Sequence, residues 1–162
     1  MTEWLLFTDG SVNTQTMKGC GAALLIEKEN QRETADQHRT RIKTRRFADT
    51  SSTKLELQTL LWALQGVPPS CATLTVYTDS QNILSLTDRR ASFETQNYCS
   101  KKGIPLRNAA LYQAFFKIAD ARQFKLIKVI GHLPTGQRDT IDHLFNLVDK
   151  ASRAACKKLN RI

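Results

Sequence analysis

The chain has 162 residues, of which 41% are hydrophobic and 24% charged, and this length and composition predict a single soluble domain spanning residues 1–162. The four cysteines are scattered without metal-ligand spacing, so we expect reduced thiols and a cytoplasmic location rather than a disulfide framework. No apolar run is long enough to span a bilayer, and a membrane partner is not expected. The formal net charge of +9 favours a polyanionic partner.

Three strands are predicted first along the chain. Residues 4–8 are apolar and aromatic, and predict a strand that ends at Asp9. Residues 21–28 predict its hairpin partner. Residues 39–45 carry a basic residue at every second position, which predicts a third strand with its charges on one face. We interpret it as a charge-protected edge strand in preference to a phosphate-binding strand.

The remainder alternates between helices and strands. Apolar residues at helical spacing predict a helix from about residue 54 to before Gly66, another around residues 111–119 and a last one around 144–155. Strands are predicted over residues 73–78 and 124–130, with a short helix after the first of them. The predicted fold is therefore α/β, with a mixed five-stranded sheet of three antiparallel and then two parallel strands, flanked by helices.

Two predicted strands end in an aspartate, Asp9 and Asp79. If these strands are parallel neighbours, their axes lie about 4.8 Å apart and both carboxylates emerge at the edge where α/β sheets place ligands. Two such charges repel unless one takes up a proton or a divalent cation binds, and all-oxygen ligands suit Mg²⁺ or Mn²⁺. Glu56, in the first turn of the predicted helix, is a third candidate. Each acid also has a purely structural alternative. Asp9 could form a turn, Asp79 could be a helix N-cap, and Glu56 could interact with the helix dipole.

Six segments resemble, in the same order, the motifs of the type 1 ribonuclease H family. They are residues 9–11 with 19–22, 50–57, 77–81, 104–108 with 111–112, 129–132, and 148–152. The resemblance implies a ribonuclease H-like fold and an endonuclease that hydrolyses the RNA strand of an RNA·DNA hybrid by two-metal-ion catalysis. It also implies two Mg²⁺ ions, with Mn²⁺ possible as a substitute, and no small-molecule cofactor.

The same resemblance assigns roles to individual residues. Asp9, Glu56, Asp79 and Asp149 would be the catalytic metal ligands, and His132 would assist proton movement or product release. Asp142 is a rival to Asp149 for the fourth position. The other two histidines, His38 and His143, are expected at the surface.

Contacts to the hybrid are expected from two groups of side chains. Polar residues near the carboxylates would contact the RNA strand, and a basic segment bearing Phe93 and Tyr98 would contact phosphates. The residues are Asn13, Gln15, Ser52, Thr53, Gln81, Arg89, Arg90, Lys101, Lys102, Arg107 and Asn108. The alternative for the basic segment is a solvated connector.

Two other functions remain open from the sequence. One is an inactive hybrid-binding module, against which the complete set of four acids argues. The other is a nuclease of the resolvase or transposase type on the same fold, against which Gly131 and His132 argue. A monomer is expected, because no coiled-coil pattern or long apolar face is present.

Overall fold

The computed structural model describes residues 2–130, 134, 136 and 139–161, and in this part the chain forms five strands and six α-helices. A short 3₁₀ turn, Lys28–Asn30, follows the second strand. In chain order the strands and helices are β1 (Thr2–Asn13), β2 (Lys18–Glu27), α1 (Ala35–Arg41), β3 (Lys43–Phe47), α2 (Ser52–Leu64), β4 (Cys71–Thr78), α3 (Gln81–Leu84), α4 (Leu86–Thr95), α5 (Ala109–Ala121), β5 (Lys125–Lys128) and α6 (Thr140–Leu159).

The strands form one sheet in the order β3-β2-β1-β4-β5. Strand β2 pairs antiparallel with both β1 and β3, whereas β4 pairs parallel with both β1 and β5. Parallel neighbours need a crossover, and helices lie between β3 and β4 and between β4 and β5. The predicted mixed five-stranded sheet flanked by helices is confirmed.

Helices cover both faces of the sheet, and the side-chain alternation of β1 shows which residues point to each. Leu6 packs in a cluster with α2 and α5, whereas Leu5 and Phe7 pack in a second cluster with α6. Phe115 of α5 and Val148 of α6 are almost fully buried in these two clusters. Since successive strand residues point to opposite faces, Asp9 has the parity of Phe7 and belongs to the α6 face.

The prediction for residues 39–45 is wrong in its first half. Thr34 and Gln37 form a reciprocal capping box that starts α1, and this helix continues through Arg41. The basic residues therefore do not share one strand face. Strand β3 begins only at Lys43, lies at the edge of the sheet and exposes its basic side chains, as the edge interpretation expects.

The predicted end of the first strand is also wrong. Strand β1 continues past Asp9 to Asn13, because its pairing with β2 extends that far. Its parallel pairing with β4, however, reaches only to Phe7 and Tyr77. Asp9 therefore still lies just beyond the end of the parallel ladder, although the strand itself goes on.

Helix α2 packs closely on β1 and β2 because glycines face it. A Cβ atom on Gly21 would lie 2.1 Å from Thr59 Oγ1, and one on Gly19 would lie 2.8 Å from Leu55 Cδ2. Real Cβ contacts are essentially never this short, so glycine at both positions permits the close approach of the helix. In the described ranges, no helix is both long and apolar enough to cross a membrane.

Candidate active site

Asp9 and Asp79 lie side by side beyond the parallel ladder of β1 and β4. The ladder pairs Phe7 with Tyr77, and their rings stack with centroids 4.9 Å apart. Each aspartate follows its aromatic residue by two positions, Asp9 within β1 and Asp79 just past the end of β4 at Thr78, so both lie at the same edge of the sheet. The negative charge of Asp79 raises the pKa of Asp9, which places the two carboxyl groups within electrostatic reach.

Helix α6 brings a third carboxyl group to the same point. Leu144, Phe145 and Val148 anchor this helix on the sheet. Asp149 follows Val148, and its side chain is 19% exposed and hydrogen-bonded to Asp9. The guanidinium of Arg153, one turn further along α6, contacts Asp149 with Nε 3.1 Å from Oδ1. Arg153 is a site residue that the sequence analysis missed, although its i,i+4 spacing from Asp149 was visible.

The pKa of Asp9 reflects its burial close to Asp79 and Asp149. Burial raises the pKa of Asp9 to about 9, helped by the hydrogen bond to Asp149 and the charges of Asp79 and Asp149, while the Gly10 backbone N–H opposes the rise. At neutral pH in the absence of a cation, Asp9 therefore keeps a proton in its contact with Asp149. A carboxyl group held so far from its ordinary pKa is a mark of functional sites.

Glu56 approaches from the other side of the sheet, on the first turns of α2. Burial raises its pKa, the hydrogen bond from Ser80 lowers it, and the charge of Asp79 raises it further. Ser80 Oγ donates to Glu56 Oε2 over 2.6 Å and also accepts from the backbone N–H of Ile83, which caps α3. Ser80, missed by the sequence analysis, therefore fixes Glu56 beside Asp79.

The four acids suit a hard divalent cation in their chemistry. Carboxylate oxygens are the ligands that Mg²⁺ prefers, and a cation would relieve the repulsion between Asp9 and Asp79. In the described part of the chain, no three His, Cys, Asp or Glu side chains already form a group that could hold a metal ion. Cation binding would have to replace the proton between Asp9 and Asp149.

Asp142, the rival of Asp149, has a different role in the fold. Asp139 is the N-cap of α6, and its side chain accepts the backbone N–H of Asp142 at 2.8 Å. The side chain of Asp142 in turn accepts the N–H of Asp139 at 3.1 Å. This capping box occupies Asp142 at the start of the helix, whereas Asp149 contacts Asp9. His132 lies outside the described residues, and its role stays a prediction.

The polar residues expected to contact RNA differ in how free their side chains are. Asn13 Oδ1 accepts the backbone N–H groups of Gln15 and Thr16, so Asn13 also shapes the turn after β1. Gln15 is exposed in that turn. Ser52 and Thr53 open α2 and Gln81 opens α3, and all three are exposed on the first turns of the helices that carry or adjoin Glu56 and Ser80.

Within the basic segment, some side chains form hydrogen bonds inside the protein and others are exposed. Arg90 pairs with both oxygens of Asp120 and with Glu94, and Arg89 donates to Asn82 Oδ1 at 2.7 Å. The aromatic residues expected to flank a phosphate groove are instead packed on one another, with Phe93 stacked on Tyr98. Exposed positions further along are Lys101, Lys102 and Arg107, and the half-buried Asn108 precedes α5.

The raised pKa of Asp9 predicts how stability depends on pH. The native state retains a proton that the unfolded chain loses near pH 4, so the resulting stabilisation is present at low pH and declines as the pH rises toward 9. Without divalent cations, the melting temperature of the unmodified protein should therefore fall more steeply between pH 5 and 9 than that of Asp9→Asn. Parallel melting curves for the two proteins in EDTA would contradict the shared-proton arrangement.

Comparison with known proteins gives a consistent result over most of the chain. The family model described as RNase H matches residues 1–153. The ribonuclease H of Neorickettsia sennetsu is 27% identical over 154 residues, which cover 94% of this chain and 92% of that protein. The ribonuclease H of Hahella chejuensis is 25% identical over 143 residues, covering 88% and 90% respectively.

Proposed function

The chain belongs to the ribonuclease H family, and from that premise we propose that it is an endonuclease that hydrolyses the RNA strand of RNA·DNA hybrids. The observation that supports this most directly is that Asp9 and Asp79 both follow the last pair of the parallel ladder between β1 and β4, with Glu56 held by the hydrogen bond from Ser80. Four acids gathered in a chain of net charge +9 would repel a nucleic-acid backbone, and divalent cations between them remove that repulsion.

We propose that Asp9, Glu56, Asp79 and Asp149 hold two Mg²⁺ ions, with Mn²⁺ as an alternative. Ions held by these residues would supply activation of the attacking water and stabilisation of the leaving 3′-oxygen. The chain's own contribution is positioning. Ser80 holds Glu56 in place through its 2.6 Å hydrogen bond, and Arg153 holds Asp149. Before Asp9 could hold a cation, its proton would have to pass to solvent.

Hybrid recognition needs contacts to both strands. The exposed polar groups of Ser52, Thr53 and Gln81, near Glu56 and Ser80, are suited to hydrogen bonds with 2′-hydroxyls, which distinguish RNA from DNA. Exposed Lys101 and Lys102 are suited to phosphates of the other strand. Arg90 contributes less, because Asp120 and Glu94 already neutralise its charge.

The proposal is tested by incubating the protein with three labelled duplexes of one sequence: RNA·DNA hybrid, duplex DNA and duplex RNA. We expect cleavage of the RNA strand of the hybrid alone, dependent on added Mg²⁺ and abolished by EDTA. Cleavage of duplex DNA would instead favour the resolvase or transposase type of activity. Tight hybrid binding without cleavage, under either Mg²⁺ or Mn²⁺, would favour a binding module.

Ser80→Ala should lower hybrid cleavage by roughly tenfold, because a group that orients a metal-ligating carboxylate is typically worth 10–100-fold. The loss should be partly compensated by higher Mg²⁺ concentrations, since the variant leaves Glu56 present but poorly oriented. Activity is measured as a function of Mg²⁺ concentration at saturating hybrid.

Ser51→Ala is the matched control. Ser51 caps α2 by accepting the N–H of Lys54, much as Ser80 caps α3, but no hydrogen bond joins it to Glu56 in the described structure. Both variants should lose about 1 kcal/mol of stability through the missing cap. A similar loss of activity in both would reduce the role of Ser80 to helix capping.

A further inference from the structure

Residues 48–51 connect β3 to α2, and one of them, Thr50, is tied to two other parts of the chain. Thr50 is only 2% exposed, and its backbone N–H donates to the Met17 carbonyl at 3.0 Å. Its hydroxyl donates to Gln58 Oε1 in α2 at 2.8 Å. Thr50 therefore joins this connection both to the turn after β1 and to the helix that carries Glu56.

Two residues beside these contacts have a backbone conformation that residues other than glycine rarely adopt. Met17 has a φ of 58° and Asp49 has a φ of 50°, both in the left-handed region. Such a conformation costs free energy and persists only where the surrounding contacts fix it. Lys54 Nζ adds one such contact, because it donates to the Asp49 carbonyl at 3.2 Å. Backbone strain of this kind is concentrated at active sites and at segments that hold ligands.

The two segments that Thr50 joins carry polar side chains that are expected to contact RNA. These side chains are Asn13 and Gln15 in one segment, and Ser52 and Thr53 in the other. Gln58 is half-buried and follows Glu56 by two positions in the same helix. The hydrogen bond that Gln58 accepts from Thr50 therefore fixes where both polar segments lie relative to the helix of this carboxylate.

We propose that Gln58, acting through Thr50, is a positioning residue for recognition of the RNA strand. This inference rests on the proposed function, and neither residue itself contacts the hybrid. Without the hydrogen bond between them, the two polar segments have to be ordered when the hybrid binds, and that ordering lowers the affinity. Ser80 still holds Glu56 through a separate hydrogen bond, so the cleavage step at saturating hybrid is unaffected.

The test removes the hydrogen bond from either side while the size of the side chain is kept, with Gln58→Met and Thr50→Val. Thr50→Ser restores the hydroxyl and is the conservative rescue. Thr2→Val is the matched control, because the Thr2 hydroxyl also donates over 2.8 Å to a distant carbonyl, that of Ser70, but at the start of β1. Affinities for an RNA·DNA hybrid and for duplex DNA of the same sequence are measured by fluorescence anisotropy, with Ca²⁺ in place of Mg²⁺. Cleavage of the hybrid in Mg²⁺ gives kcat and KM.

We expect Gln58→Met and Thr50→Val to weaken hybrid binding by about five- to tenfold, which is the size of one lost hydrogen bond. KM should rise by a similar factor while kcat stays within about twofold. Binding of duplex DNA should not change, because DNA lacks the 2′-hydroxyls that the polar segments are positioned to contact. Thr50→Ser and Thr2→Val should behave like the unmodified protein.

An unchanged preference for the hybrid over duplex DNA in both variants, whatever their melting temperatures, would reduce the hydrogen bond to a structural role and overturn the proposal. A fall in kcat with KM unchanged would also overturn it, because the carboxylates and not the polar segments would then have moved. Absence of any hybrid preference in the unmodified protein would defeat the proposed function as well, so the two failures are distinguishable.

Discussion

Asp9→Asn should reduce Mg²⁺-dependent hybrid cleavage by more than about 100-fold while hybrid binding survives. Residues that only orient a metal ligand are worth about 10–100-fold, and Asp9 is proposed to be a ligand itself. Asparagine keeps the size of the side chain but removes the negative charge. The measurement pairs single-turnover cleavage with fluorescence anisotropy of a labelled hybrid, and near-normal turnover would exclude Asp9 from the site.

The same variant has a second readout that does not involve activity. At pH 8 the native state must hold on Asp9 a proton that the unfolded chain releases, which costs stability. Asp9→Asn removes this cost and should raise the melting temperature in EDTA by a few degrees, equivalent to about 1–2 kcal/mol in a domain of this size. Added Mg²⁺ should stabilise the unmodified protein and not the variant. An equal response to Mg²⁺ in both proteins would show that the cation binds elsewhere.

Asp149→Asn and Asp142→Asn separate the two candidates on α6. Asp149→Asn should lose cleavage as Asp9→Asn does, because Asp149 contacts Asp9. Asp142→Asn should retain cleavage and lose at most about 1 kcal/mol of stability, because an asparagine can still accept the Asp139 N–H. Loss of cleavage in Asp142→Asn alone would reverse the assignment.

The sequence was most informative where one periodicity dominated. The apolar helical spacing of α2, α5 and α6 predicted these helices, and the run of β-branched residues predicted β4, because local patterns and burial agree there. Residues 39–45 misled because alternating charge resembles a strand, whereas the capping box of Thr34 and Gln37 had already started a helix. The reciprocal cap between these two residues favours a helix more strongly than the alternating charges favour a strand.

At the candidate site, the sequence indicated which acids could meet but not what holds them. Asp9 and Asp79 each follow an apolar run that predicts a strand, so their meeting at one edge of the sheet could be predicted. The contact of Ser80 with Glu56 joins residues 24 positions apart and depends on how α2 packs on the sheet. That packing depends on Gly19 and Gly21, because a Cβ atom at either position would collide with α2. The burial of His38 could not be predicted either, because the sequence analysis did not predict helix α1, which carries this residue.

Gly21→Ala should be the most destabilising small substitution proposed here. Its Cβ would lie 2.1 Å from Thr59 Oγ1 and 2.6 Å from Thr59 Cγ2, and Thr59 is fully buried with its hydroxyl bonded to the Leu55 carbonyl. The clash can be relieved only by moving α2 away from β2. Overpacking of this kind costs about 1–3 kcal/mol, and we expect the upper end, which lowers the melting temperature by about 6–12 °C.

Two companion variants test whether the clash with Thr59 is the cause. Gly66→Ala is the control for backbone entropy, because its Cβ would meet nothing closer than the Ala63 carbonyl at 3.5 Å, and its stability should change by no more than about 0.5 kcal/mol. Thr59→Ala removes the two nearest atoms, so Gly21→Ala combined with Thr59→Ala should be more stable than the two separate losses predict. If the losses of unfolding free energy in the two single variants simply add in the double variant, the clash with Thr59 is not the cause of the destabilisation. Since α2 carries Glu56, cleavage should recover together with stability in the double variant.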